Sequence, residues 1–156
     1  MTLALLAGAS LLFRLLGSLG VRRFATWRVS AAHGLAVMLV ATASAHFAPA
    51  GLGFMPGHAD LVAMVPPVVP FPSAVVHGTG VLELLGALGL VLARSRPAAG
   101  WCLAVLFVCL LPANVHAARA DVPLVADPLW FRIPEQLTYM AVAVAASRSH
   151  ARSPLR

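Results

Sequence analysis

SAVVHGTGVLELLGALGLVLARSRPAAGWCLAVLFVCLLPANVHAA, residues 73–118, decides the fold. It holds two apolar runs, 73–93 and 98–118, each close to the roughly 20 residues that cross a bilayer core as a helix. Between them Arg94-Ser95-Arg96-Pro97 leaves room only for a tight turn, so the two runs form an antiparallel hairpin. Within the first run stands Glu83, about ten residues from either end at 1.5 Å per residue, near the middle of a membrane. A carboxylate at that depth is costly, so it faces the bundle interior, takes a partner or stays protonated, and by default it marks a functional position.

Working outward, three further apolar runs appear at 2–20, 29–47 and 130–147, and the sequence predicts five transmembrane helices in one bundle. The first contains Arg14, and no positive charge precedes it as in a secretory signal, so it is read as a retained helix. Between 48 and 72 stand Pro49, Pro56, Pro66, Pro67, Pro70 and Pro72. That density forbids a continuous helix, because each ring removes a donor and clashes with the preceding turn. This Pro-rich segment is predicted as an outer loop. In it, Asp60 as N-cap starts one apolar turn that Pro66-Pro67 stops, a short helix on the membrane surface.

Composition agrees. Of 156 residues, 60% are hydrophobic and 10% charged, outside the usage of soluble domains. The sequence pI of 11.4 does not indicate nucleic acid, because the basic residues sit in short clusters between apolar runs and form no single basic face. All eleven are Arg, which with the abundant Ala reads as a bacterial coding bias, and the expected location is the bacterial cytoplasmic membrane. Basic residues collect on the cytoplasmic side. With the amino terminus outside, Arg22, Arg23, Arg28, Arg94, Arg96, Arg148, Arg152 and Arg156 lie inside, and only Arg119 and Arg132 outside. Asp60, Asp121, Asp127 and Glu135 fall outside with them. Cys102 and Cys109 share one run, about 10 Å apart by helical rise, too far for a disulfide, and read as buried small apolar residues.

Glu83 and Arg14 sit at similar depths, so an interhelical ion pair between them is within geometric reach. Thr79, Glu83, Gly86 and Ala87 share one helical face, whose small residues admit a neighbouring helix closely. At the outer ends stand His46, His77, Asn114, His116, Arg132 and Gln136, donors of the kind a quinone head group needs beside an apolar slot. His33, near the inner end of its helix, and the tail histidine His150 carry no functional expectation. No spacing of His, Cys and carboxylates suggests a metal site, and Walker, GxSxG and GxGxxG motifs are absent.

Ala45-His46-Phe47, Met64-Val65-Pro66-Pro67 with Phe71-Pro72, Thr79-Gly80-Val81-Leu82-Glu83-Leu84-Leu85-Gly86-Ala87 and Pro112-Ala113-Asn114-Val115 together resemble the DoxX-like membrane family, over about residues 27–147. The resemblance implies a four-helix core with Glu83 at its centre, here with one extra amino-terminal helix. Characterised members include a subunit of a thiosulfate:quinone oxidoreductase and a member of a membrane oxidoreductase complex, the wider group includes a receptor-assembly chaperone, and most members have no assigned activity. Two functions of different classes follow: an accessory or structural subunit that binds a membrane complex partner or a second copy, and a quinone-linked oxidoreductase component in which Glu83 exchanges a proton. The chain has no CxxC for a thiol relay, and no paired helix breaks in two halves suggest an inverted-repeat transporter.

Overall fold

The computed structural model describes residues 1–49, 55–122 and 125–148. Their architecture is all-helical: α1 (Thr2–Ser18), α2 (Trp27–Ala45), α3 (His58–Met64), α4 (Pro72–Val91), α5 (Arg96–Ala120) and α6 (Leu129–Ser147), with one 3-10 turn at Arg22–Phe24. His150, Arg152 and Arg156, which enter the sequence reading, lie outside the described residues.

Local chemistry sets the ends. The Thr26 side chain caps α2 by accepting from the Val29 amide, and Pro72 opens α4 where a missing amide costs little. At the far end of α4 the orphan carbonyls are met by arginines: Arg96 Nε donates to Leu90 O at 2.7 Å and Arg23 Nη2 to Val91 O at 2.6 Å. Arg28 does the same for Arg148 O beyond α6. A cation at a helix C-terminus also meets the negative end of the macrodipole. These arginines therefore fasten one end of the bundle, besides whatever they contribute to sidedness.

Three helices, α2, α4 and α5, are long and apolar enough to cross a membrane. Helix α1 is apolar but has 17 residues, about 25 Å by helical rise. Helix α6 carries Arg132, Glu135 and Gln136 in its first two turns. Apolar side chains fill the core and also cover the outer surface, and several polar groups are buried. Leu11, Leu12, Leu15, Val81, Leu85, Leu88 and Val105 are exposed, while His33, His46, Glu83, Glu135 and Gln136 are buried. Trp27 and Trp101 stand exposed at one end and Trp130 at the other, the positions of interfacial aromatic belts.

Helix α2 occupies the centre, packed against α1, α4 and α6, and α5 closes the ring between α4 and α6. Small residues make the seams. Gly34 lies against Ser10 and the Leu6 carbonyl, Gly86 against Leu103, and Gly100 against the Ala143 carbonyl. The core between them holds Leu35, Leu39, Leu90, Leu103, Phe107, Tyr139 and Ala143.

Two expectations change. Helix α3 begins at His58, so Asp60 is not the N-cap; it lies in the first turn and accepts from the Gly57 amide at 2.8 Å. Leu61 and Met64 of α3 pack on Ala117, Val122 and Val125, so α3 covers one end of the bundle. Cys102 and Cys109 are exposed on α5. The tendency of free Cys toward burial is measured against water, and an apolar surrounding outside the bundle removes that drive.

Candidate functional site

The end of the bundle beneath α3 holds a half-open cavity of about 680 Å³, within the range of small-molecule sites. Its walls are mostly apolar, with Met38, Leu39, Val65, Phe107 and Leu110 among them. Two polar groups interrupt them from opposite sides.

On the side of α2 and α4 stands Glu83, only 6% exposed. Its Oε1 is 3.7 Å from His46 Nε2, and its Oε2 accepts from Thr42 Oγ1 at 3.2 Å. His46 follows Thr42 by four residues and so projects from the same face of α2. Its ring is fixed by Nδ1–H donating to the Val76 carbonyl at 2.6 Å, a carbonyl that also accepts from Thr79 Oγ1 at 3.0 Å. With Nδ1 committed as donor, Nε2 is the ring atom that faces Glu83. Gly80 makes this fit: an added Cβ there would meet the His46 Cβ at 2.6 Å.

On the side of α5 and α6, Gln136 Nε2 donates to the Phe107 carbonyl at 3.0 Å and Asn114 Nδ2 approaches Gln136 Oε1 at 3.5 Å. Pro112, inside α5, has no amide for the carbonyl four residues earlier, so the helix is locally open beside these amides. Arg132 lines the same wall, held by Asp127 at 3.1 Å and Glu135 at 3.0 Å. Glu135 is 1% exposed and accepts from Thr2 Oγ1, from Tyr139 OH at 2.7 Å and from Arg132. Among the described residues, no buried side-chain nitrogen or oxygen lacks a hydrogen-bond partner.

Six residues singled out in the sequence therefore line one cavity: His46, Thr79, Glu83, Asn114, Arg132 and Gln136. Arg14 does not join them. Its guanidinium lies 5.8 Å from the centre of the Trp27 ring, and the partners of Glu83 are His46 and Thr42. His77 is exposed and stacks on His58 at 4.1 Å between ring centres, outside the cavity lining. His58 in turn donates from Nδ1 to the His46 carbonyl at 2.8 Å, fixing α3 to the end of α2. His116 lines a separate shallow depression with Arg119 and Pro66. His33 is held at the arginine-rich end, accepting from Arg23 at 3.2 Å with Phe13 and Phe24 against its ring. No group of three or more metal-ligating side chains occurs among the described residues.

Sequence reasoning missed Thr42, Glu135, Tyr139 and Thr2. The signal for two of them was present: Arg132, Glu135, Gln136 and Tyr139 follow the i, i+3, i+4, i+7 pattern of one helical face. Counting Glu135 as an outer-side acid concealed its burial.

The fold and this cavity define a class: an all-helical bundle with three apolar helices long enough to cross a membrane and a cavity at one end into which polar side chains from four helices project. The chain belongs to a family described as a domain of unknown function, DUF8561, whose sequence model matches residues 35–147. That stretch runs from the middle of α2 through α6 and includes both polar walls. No curated protein and no solved structure gives a significant match.

Proposed function

We propose that this is a multi-pass protein of the bacterial cytoplasmic membrane, resembling the DoxX family, whose outer-end cavity binds a quinone head group as part of a membrane oxidoreductase complex. In this reading α1, α2, α4, α5 and α6 all cross the bilayer, with the amino terminus and α3 outside. The carrying observation is that His46, Glu83, Asn114, Arg132 and Gln136, from four helices, converge on one largely apolar cavity. A quinone head group combines oxygen acceptors with an apolar ring, which the N–H donors of Asn114, Arg132 and Gln136 beside apolar walls fit.

The chain's own residues bind, orient and exchange protons. The amides of Asn114 and Gln136 and the guanidinium of Arg132 are placed to meet head-group oxygens, and the rings of Phe107 and Tyr139, packed on each other at 5.9 Å between centres, line the cavity beside them. Glu83 with His46 gives or takes a proton at Nε2. When bound, the quinone supplies the two-electron chemistry; the electrons are assigned to a redox centre on a partner subunit. In this reading the chain contributes the site and the partner the electron carrier, whereas the accessory or structural subunit is a separate function that needs no bound quinone.

The test is a titration of decylubiquinone into the purified protein in lipid nanodiscs. Saturable binding at one per chain is expected, weakened about tenfold in Gln136→Ala, the loss that one hydrogen bond of about 1.4 kcal/mol produces. His116→Ala is expected to bind as the wild type does. Uptake no greater than that of empty nanodiscs overturns the proposal.

A further inference from the structure

We infer that the cavity opens sideways through an apolar fissure between the cavity-side halves of α4 and α5, and that the fissure holds the hydrocarbon tail of a lipid-soluble ligand whose head group lies inside. The inference rests on the quinone reading for the identity of that ligand, and it adds the route: entry from the hydrocarbon of the bilayer.

The fissure follows from one face of α4. At about 100° per residue, Val75, Thr79, Leu82, Gly86 and Gly89 fall within about 80° of one another around the helix axis. Toward the arginine-rich end α5 closes this face, since an added Cβ on Gly86 would overlap Leu103 and one on Gly89 would overlap Ala99. Toward the cavity the same face is uncovered, with Leu82 52% and Val75 37% exposed. Residue size accounts for the change. Glycine admits a close neighbour, and the larger Val75, Thr79 and Leu82 hold α5 away. Helix α5 shows the same transition: Leu103 is 1% exposed, whereas Cys109 is exposed and also lines the cavity.

The opening is bounded on every side by described residues. Val75 and Thr79 stand on one flank, Cys109 and Leu110 on the other, and Pro66 and Val69, joined in a turn by the Val69 amide donating to the Pro66 carbonyl at 2.9 Å, lie above. Contact of Gly86 with Leu103 closes it below. Thr79 brings the one hydroxyl of this rim, and it is occupied in donating to the Val76 carbonyl at 3.0 Å.

Depth identifies the occupant. Cys109 is about 20 Å along α5 from Arg96 by helical rise, so in a bilayer crossed by α4 and α5 the fissure faces the hydrocarbon core, which is about 30 Å thick. Polar chains and head groups at that depth would leave hydrogen-bonding groups unmet, which leaves a hydrocarbon chain. Lipid chains are as apolar as these walls, so the fissure supplies room and passage more than affinity. The N–H donors of Arg132 and Gln136 stand on α6, a wall that does not border the fissure, so a head group that meets them can lead its tail out between α4 and α5.

Two measurements on the full chain in nanodiscs test this, both with Cys109→Trp as a plug. Cys102→Trp is the control, because Cys102 lies at nearly the same angle two turns away on α5, is also exposed, and stands outside the cavity lining. The first measurement needs no quinone. A reporter thiol, Thr79→Cys in a chain carrying Cys102→Ser and Cys109→Ser, is alkylated by pyrene maleimide dissolved in the bilayer. Exchanging Cys109→Ser for Cys109→Trp is expected to slow alkylation about tenfold, and exchanging Cys102→Ser for Cys102→Trp to leave the rate unchanged. Equal rates in the plugged and open chains overturn the fissure. If Cys109→Trp does not fold, Val75→Trp plugs the same opening from α4.

In the second measurement decylubiquinone and the same quinone head without its tail are titrated. Cys109→Trp is expected to weaken the tailed quinone about tenfold and to change the tail-less one less than about twofold. Equal effects on the two ligands overturn the tail assignment. Slowed alkylation with no decylubiquinone bound to the open chain overturns the quinone reading and its tail, and makes a lipid acyl chain the occupant of the fissure.

Discussion

Replacing His46 with alanine is expected to cost about 3 kcal/mol of stability, the scale for removing one partner from a buried ionisable pair. Three losses combine: the hydrogen bond to the Val76 carbonyl, the ring packed against Gly80, and the partner of Glu83. Glu83→Gln is expected to cost about 1 kcal/mol or less, because the amide still accepts from Thr42 and can donate to His46 Nε2. Combining the two changes removes the stranded carboxylate. The double variant is therefore expected to be at least about 1 kcal/mol more stable than the sum of the single effects predicts. Reversible unfolding in bicelles measures all three, and strict additivity would show that His46 and Glu83 do not act as a pair.

A second large effect is expected at Gly100, where α5 and α6 approach most closely. An added Cβ would meet the Ala143 carbonyl at 2.4 Å and the Ser147 amide nitrogen at 2.9 Å. Both are backbone atoms, so no side-chain rotation relieves the overlap and the helices must separate. Gly100→Val is expected to destabilise by about 3 kcal/mol, the upper range of overpacking. It should also disturb the cavity, because the Gln136 bond to the Phe107 carbonyl crosses the same interface. Gly78→Ala is the control: an added Cβ there meets nothing within 4 Å, and a change within about 0.5 kcal/mol is expected. Equal behaviour of the two variants in thermal unfolding would refute close packing as the role of Gly100.

What the sequence made legible follows from what one-dimensional patterns encode. Apolar length and proline position give the helices: α4 spans Pro72–Val91 where 73–93 is expected, and α5 spans Arg96–Ala120 where 98–118 is expected. Depth is also readable, since helical rise is fixed, and it places His46, Asn114, Gln136 and Arg132 at one end of the bundle. Rotation is not readable from depth. Arg14 was matched to Glu83 by height, yet α1 turns it toward Trp27, and the carboxylate meets α2 through His46 and Thr42. The same limit hid Glu135, whose sequence position near the start of an outer-end helix says nothing of its burial at 1% exposure. Its hydrogen bond to Thr2 joins residues 133 positions apart, a pairing that no local pattern encodes.

The cavity also gives the bundle a functional polarity. One end is fastened by arginines on helix carbonyls and on His33; the other holds the ionisable groups around an apolar space, covered by α3. The proposed ligand site accordingly lies at the second end.

The most direct test of the central claim is to isolate the chain from its native membrane in mild detergent and measure extractable quinone per chain by mass spectrometry. The account predicts close to one quinone per chain, retained through purification and depleted in Gln136→Ala. A quinone content equal to that carried by an unrelated membrane protein prepared in the same way would contradict it.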